Sequence, residues 1–208
     1  STGVVTTLAG FSRGSTDGIG TAARFNKPYD ITTDGTNLYV TDTYNHTIRK
    51  IVISTGVVTT LAGSAGSQGS SDGTGTAAKF KYPNGISSDG TNLYVADPSN
   101  QTIRKIVIST GAVTTLAGSA GSAGSTDGTG TSAKFNWPEG ITTDGKNLYV
   151  AERGGHKIRK IDLSKTETAV VSLLNLGDDF PNTPKIAVDG LMSNSGQLTF
   201  KNSEITLS

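Results

Sequence analysis

The sequence predicts an all-β fold, a β-propeller of four-stranded antiparallel blades, and three observations point there. A unit of 55 residues repeats. Asn-Leu-Tyr-Val stands at 37–40, 92–95 and 147–150, and Phe25, Phe80 and Phe135, Pro28, Pro83 and Pro138, and Asp34, Asp89 and Asp144 keep the same period. Each unit divides into four short β-rich runs separated by turn residues. Two of those runs are apolar on both faces, which marks a sheet covered on both sides. Four-stranded sheets packed radially against one another meet that requirement.

The middle unit shows the pattern. Strand a follows the proline, at Gly85-Ile86-Ser87-Ser88, and Asp89-Gly90 supplies a hairpin turn. Strand b is Asn92 to Ala96, and strand c runs from Thr102 to Ile108. In strand c, Ile103 and Val107 point one way and Ile106 and Ile108 the other. A Ser-Thr-Gly turn (Ser109 to Gly111) leads to strand d, Ala112 to Ala117, and a Gly/Ser loop ends in Asp127-Gly128-Thr129-Gly130-Thr131. Blade units are expected at about 26–63, 81–118 and 136–174, with a divergent segment at 175–208, all within one domain spanning 1–208. The one helix-like stretch is Thr76-Ala77-Ala78-Lys79-Phe80, set among glycines.

Composition narrows the function classes. The chain has 208 residues, 27 of them Gly, and its 18 basic and 17 acidic residues leave a net charge of +1. No basic excess marks a nucleic-acid binder. No apolar run approaches the ~20 residues of a spanning helix, so membrane insertion is not expected. The absence of Cys removes disulfides, thiolate catalysis and Cys-ligated zinc. Ser1 falls in the middle of a repeat, which suits a mature form freed of its leader or a piece of a longer protein.

Asp42-Thr43-Tyr44-Asn45-His46-Thr47-Ile48-Arg49-Lys50-Ile51, preceded by Leu38-Tyr39-Val40, resembles the NHL repeat, which is named for an Asn-His-Leu triplet. The triplet reads Asn45-His46-Thr47, Asn100-Gln101-Thr102 and Gly155-His156-Lys157 in the three copies. The resemblance covers roughly residues 1–165. It implies a β-propeller, six-bladed in most members, and leaves function open, because the fold hosts binders and enzymes alike.

The chain ends bear on closure. Residues 3–10 read as a strand d with no a, b or c before them. Residues 168–174 read as a further strand d, 184–190 as strand a with its turn, 197–201 as strand b and 204–207 as strand c. The orphan N-terminal strand could complete that last set and close a four-bladed ring. The alternatives are a share in a larger ring, or self-association with another copy through the terminal edge strands.

Comparison of the copies separates scaffold from site. The a–b and c–d turns are nearly identical between copies, whereas the d–a and b–c loops, on the opposite face, differ. Before the proline stand Lys27, Tyr82 and Trp137, and after it Tyr29, Asn84 and Glu139. The b–c loops carry Tyr44 and His46, Gln101, and Arg153 and His156. Variable loops on a rigid scaffold are where contact residues sit, and aromatics beside charges suit a protein or glycan.

Catalytic readings find less support. Asp42, Asp97 and Glu152 share one position at the end of strand b. They could hold a metal at the ring axis, as carboxylates do in the propeller lactonases that the resemblance brings in, or accept hydrogen bonds from their own b–c turns. Asp17, Asp72 and Asp127 lack the alternating carboxylates and closing Glu of a calcium loop. The pairs Arg49-Lys50, Arg104-Lys105 and Arg159-Lys160 point to opposite faces of a strand, so packing between blades suits them better than a basic patch. The resemblance also admits zinc-dependent amidating lyases with several His, of which this chain has two. The expectation is a non-enzymatic binding or self-assembling module of a bacterial exported or surface protein, with no cofactor. The alternatives are a metal-dependent propeller lyase or lactonase, and a structural subunit of an extracellular polymer with exchanged edge strands.

Overall fold

The computed structural model describes residues 2–164, which form three successive blades. Blade one contains β1 (Gly18–Ile19), β2 (Pro28–Thr33), β3 (Asn37–Asp42), β4 (Thr47–Val52) and β5 (Val57–Gly63), in the order β1-β5-β4-β3-β2. Blade two repeats it with β6 (Gly73–Thr74), β7 (Ile86–Ser88), β8 (Asn92–Asp97), β9 (Thr102–Val107) and β10 (Ala112–Ala117). In blade three, β11 (Pro138–Thr143), β12 (Asn147–Glu152) and β13 (Lys157–Asp162) are described. All these pairings are antiparallel. The strand d expected at 168–174, the divergent segment at 175–208 and the closure of the ring lie outside the described residues.

Strands a to d of blades one and two, and strands a to c of blade three, fall where the sequence places them, with one addition. The linkers before blades one and two each contribute a two-residue strand, β1 and β6, to the outer edge of that blade's strand d. Gly18 pairs with Val58 and Thr74 with Ala112. An unpaired strand d would expose a row of backbone donors and acceptors, and the linker covers part of it. Two residues are too few to show alternation, so the sequence pattern hides this strand. Each linker then makes a short 3-10 turn, at Gly20–Ala22, Gly75–Ala77 and Gly130–Ser132.

Residues 3–10 form no strand, although the sequence reads them as one. The segment keeps the end geometry of a strand d. Gly10 has φ +92°, close to +86° at Gly63 and +90° at Gly118, and its N–H donates to the Gly20 carbonyl as that of Gly118 does to Gly130. Among the described residues no strand c pairs with it, and a ladder needs both sides. Ala9 instead packs on the Ala23, Val40, Ile51 and Val58 face of blade one.

The blades meet through apolar faces. Tyr39, Ile48 and Ala62 of blade one pack with Ala78, Phe80, Ile86, Leu93, Val95, Ile106 and Val113, which belong to blade two and its linker. The innermost strands also bond to one another. Asp30 Oδ2 on β2 accepts the Ile86 N–H of β7 at 2.9 Å, and the Gly85 N–H donates to the Glu139 carbonyl of β11 at 2.9 Å.

The a–b turns carry a fixed carboxylate. Asp89 accepts the N–H groups of Thr91 and Asn92 and the Tyr94 hydroxyl, and Asp34 and Asp144 repeat the arrangement. Burial alone would raise the Asp89 carboxyl, but these donors outweigh it and hold the group below the usual carboxylate range. Burial, reinforced by the carboxylate partner, pushes the Tyr94 hydroxyl well above its ordinary value.

Phe80 is fully buried at the junction of linker, blade one and blade two. Phe80→Ala should therefore destabilise the protein by about 3–5 kcal/mol, measured by urea denaturation. A loss typical of a surface site, within about 0.5 kcal/mol, would show that the blades do not depend on this anchor.

Candidate functional site

The three strand-b carboxylates, Asp42, Asp97 and Glu152, do not converge on an axis. Each lies fully buried inside its own blade. Asp42 Oδ2 accepts from Arg49 at 2.8 Å and from Asn45 Nδ2 at 2.7 Å, while Oδ1 accepts the Asn26 N–H at 2.7 Å. Asp97 takes Arg104 at 3.4 Å, Asn100 at 2.8 Å and the Lys81 N–H at 3.0 Å. Burial raises the Asp97 carboxyl, and these donors pull the other way. In blade three the pair changes in size. Glu152 replaces Asp and Gly155 replaces Asn, and a Cβ at 155 would collide with Glu152 Oε2. Among the described residues, no group of three or more His, Asp or Glu could hold a metal ion.

The arginine of each Arg-Lys pair turns inward. Arg49 is buried, donates to Asp42 and to Asp17 (2.7 Å), reaches the Arg24 and Thr16 carbonyls, and lies 5.0 Å from the Phe25 ring centroid. Arg104 and Arg159 repeat this with Asp72 and Phe80, and with Asp127 and Phe135. Asp17 and Asp72 in turn accept from Thr60 and Thr115 on strand d. The repeated Asp-Gly motifs thus serve the blade.

The variable face carries backbone strain. Six non-glycine residues have positive φ among the described residues, and they occupy two repeat positions: Lys27, Tyr82 and Trp137 (+52°, +54° and +53°), and His46, Gln101 and His156 (+60°, +61° and +54°). Such conformations cost of order 1–3 kcal/mol each and persist where surroundings enforce them. At 27, 82 and 137 the following proline would favour extended backbone, so sequence patterning points away from this geometry.

The supports are visible. The Tyr82 N–H donates to His46 Nδ1 at 3.2 Å, and the Trp137 N–H donates to Gln101 Oε1 at 2.8 Å. One residue of each of the first two b–c turns thus holds the strained residue of the next blade. His46 and Gln101 are accordingly buried rather than loop-exposed. Asn84 is likewise structural through its backbone. Its carbonyl accepts the Thr41 hydroxyl at 2.7 Å and its N–H donates to Ala96 at 2.9 Å. Asn45 and Asn100 are supports that the sequence reading did not single out. Their side chains link the b–c turn to the Gly14 and Gly69 carbonyls of the linkers. Recurrence of Asn at one register was the available signal.

The remaining candidates form two groups. Tyr82 meets Tyr44 edge-on at 5.3 Å between centroids, and Lys27 Nζ lies 4.3 Å from the Tyr44 centroid. Trp137 carries Arg153 at 5.2 Å from its centroid, and Arg153 Nε pairs with Glu139 at 2.7 Å. Tyr29, Tyr44 and Trp137 remain 62%, 45% and 41% exposed. Tyr29 of blade one and Glu139, Arg153 and His156 of blade three line an open cavity of about 410 Å³. Among the described residues, these candidates bring together aromatic faces, cations and the Glu139 carboxylate.

No family model matches the chain. Human NHL repeat-containing protein 2 is 35% identical over 147 residues, which are 66% of this chain and 20% of that protein. The repeats are NHL repeats. Among solved structures, a Bacteroides thetaiotaomicron protein of unknown function is 33% identical with a TM-score of 0.59, over 64% of this NHL chain and 34% of its own. A Bacteroides ovatus auxiliary nutrient binding protein is 26% identical with a TM-score of 0.58, over 68% and 38%. This NHL chain spans about a fifth of the curated relative and about a third of the solved ones.

The Gln101 support gives a direct test. Gln101→Ala leaves the Trp137 N–H without its acceptor and should cost about 1 kcal/mol. Trp137 is the only Trp in the chain, so its emission should shift in the same variant. Unchanged emission and stability would show that the strained turn holds itself.

Proposed function

We propose that this chain is a non-enzymatic binding module, presenting the face of its d–a and b–c loops to a protein or glycan, and that it works outside the cell or at its surface. The observation that carries this is the strain at Lys27, Tyr82 and Trp137. Three bulky side chains are held in a costly conformation at one register, on the face where the copies differ, while the scaffold repeats. Strain clusters at sites where geometry serves a ligand. Tyr44, Trp137 and Tyr29 offer partly exposed rings, with Lys27, Arg153 and Glu139 as polar neighbours. The similarity to an auxiliary nutrient binding protein from a Bacteroides species supports both the binding role and the location. No helix among the described residues is long and apolar enough to cross a membrane.

Trp137 is a built-in reporter. Titration with a panel of soluble oligosaccharides and peptides should quench or shift its emission for at least one class. Tyr44→Ala combined with Arg153→Ala should weaken that response tenfold or more with the unfolding midpoint little changed. Equal responses in the wild type and this double variant would remove the proposed face.

A further inference from the structure

One contact between blades occurs twice with different chemistry. At the junction of blades two and three, an amide oxygen of Gln101 accepts the Trp137 N–H at 2.8 Å. At the junction of blades one and two, the acceptor of the Tyr82 N–H is the imidazole Nδ1 of His46, at 3.2 Å. An amide oxygen accepts at any ordinary pH. An imidazole nitrogen accepts only while it carries no proton. Protonation at Nδ1 would set one N–H against another, at a residue whose φ of +54° needs outside support.

We propose that His46 is a pH-sensitive positioning residue. Neutral, it fixes Tyr82 and the Tyr44–Tyr82 pair on the loop face; protonated, it releases them, while the Trp137 turn held by Gln101 stays in place.

The surroundings favour this. The His46 ring packs edge-on against Tyr82, 4.5 Å between centroids at 84°. The ring contacts around it involve Tyr82, Tyr44 beyond it, and the Lys27 ammonium over Tyr44. Asp42, at the start of the same turn, is engaged by Arg49 and Asn45. Burial holds the imidazole below its ordinary value of 6.5, and the Thr43 carbonyl opposes this in part. No charged side chain contributes to that shift. Because the folded state prefers neutral His46, the contact contributes its full stability above the ordinary imidazole pKa. That contribution is lost as pH falls from there through the lower folded value.

The proposal concerns the free protein, so its test needs no ligand and stands apart from the binding reading. Backbone amide shifts of the 208-residue chain would be followed by NMR from about pH 8 to about pH 5. The Tyr82 amide should move along the titration curve of the His46 ring, and the Trp137 amide should not. His46→Gln copies the support already present in blade two. It should abolish the Tyr82 titration and keep the amide near its high-pH position. A Tyr82 amide that stays flat in the wild type, or that titrates unchanged in His46→Gln, would overturn the proposal.

Discussion

Each blade depends on one inward-facing arginine. Arg104 on strand c ties together Asp97 on strand b, Asp72 in the linker and two linker carbonyls, and Asp72 carries the tie on to Thr115 of strand d. One side chain thus sets the register of three strands and the path of the linker that covers the outer edge. Its guanidinium lies over Phe80, the anchor of the interface between blades one and two. Burying such a pair is expensive, and the raised Asp97 carboxyl reflects that. The Asp72 contact is half exposed and adds less. The network therefore specifies which residues pair more than it adds net stability.

That division explains where variation falls. The Arg, Phe and linker Asp positions are the same in all three copies and leave little room for change. Where blade three does change, two positions change together: Glu152 fills the space that Gly155 vacates. The loop face escapes this constraint. Its side chains differ between copies, yet the strained backbone is the same at 27, 82 and 137. A rigid frame presenting different groups at one geometry is what the proposed recognition role requires.

Much of the fold was legible because it repeats. The 55-residue period, the Asp-Gly hairpins and the two-faced apolar strands point to four strands per blade, whereas the opposite-facing Arg-Lys neighbours left open which of the two turns inward. The linker strands β1 and β6 were hidden because two residues show no periodicity. Residues 3–10 look like β5 and β10 in sequence, but strand formation depends on a partner that local pattern cannot supply. The candidate loop positions could be picked out by comparing the copies, but their structural roles could not. His46 and Gln101 read as loop contacts, yet they are buried acceptors for the next blade. Nothing in a Tyr-Pro or Trp-Pro step announces a left-handed backbone.

The central claim is that the buried arginine holds the blade in register. The direct measurement is urea denaturation of Arg104→Met, alone and combined with Asp97→Leu. The single variant leaves a buried carboxylate without its cation and should lose about 3–5 kcal/mol, much of which the double variant should recover. A single-variant loss below about 1 kcal/mol, the range of a surface ion pair, would contradict the account.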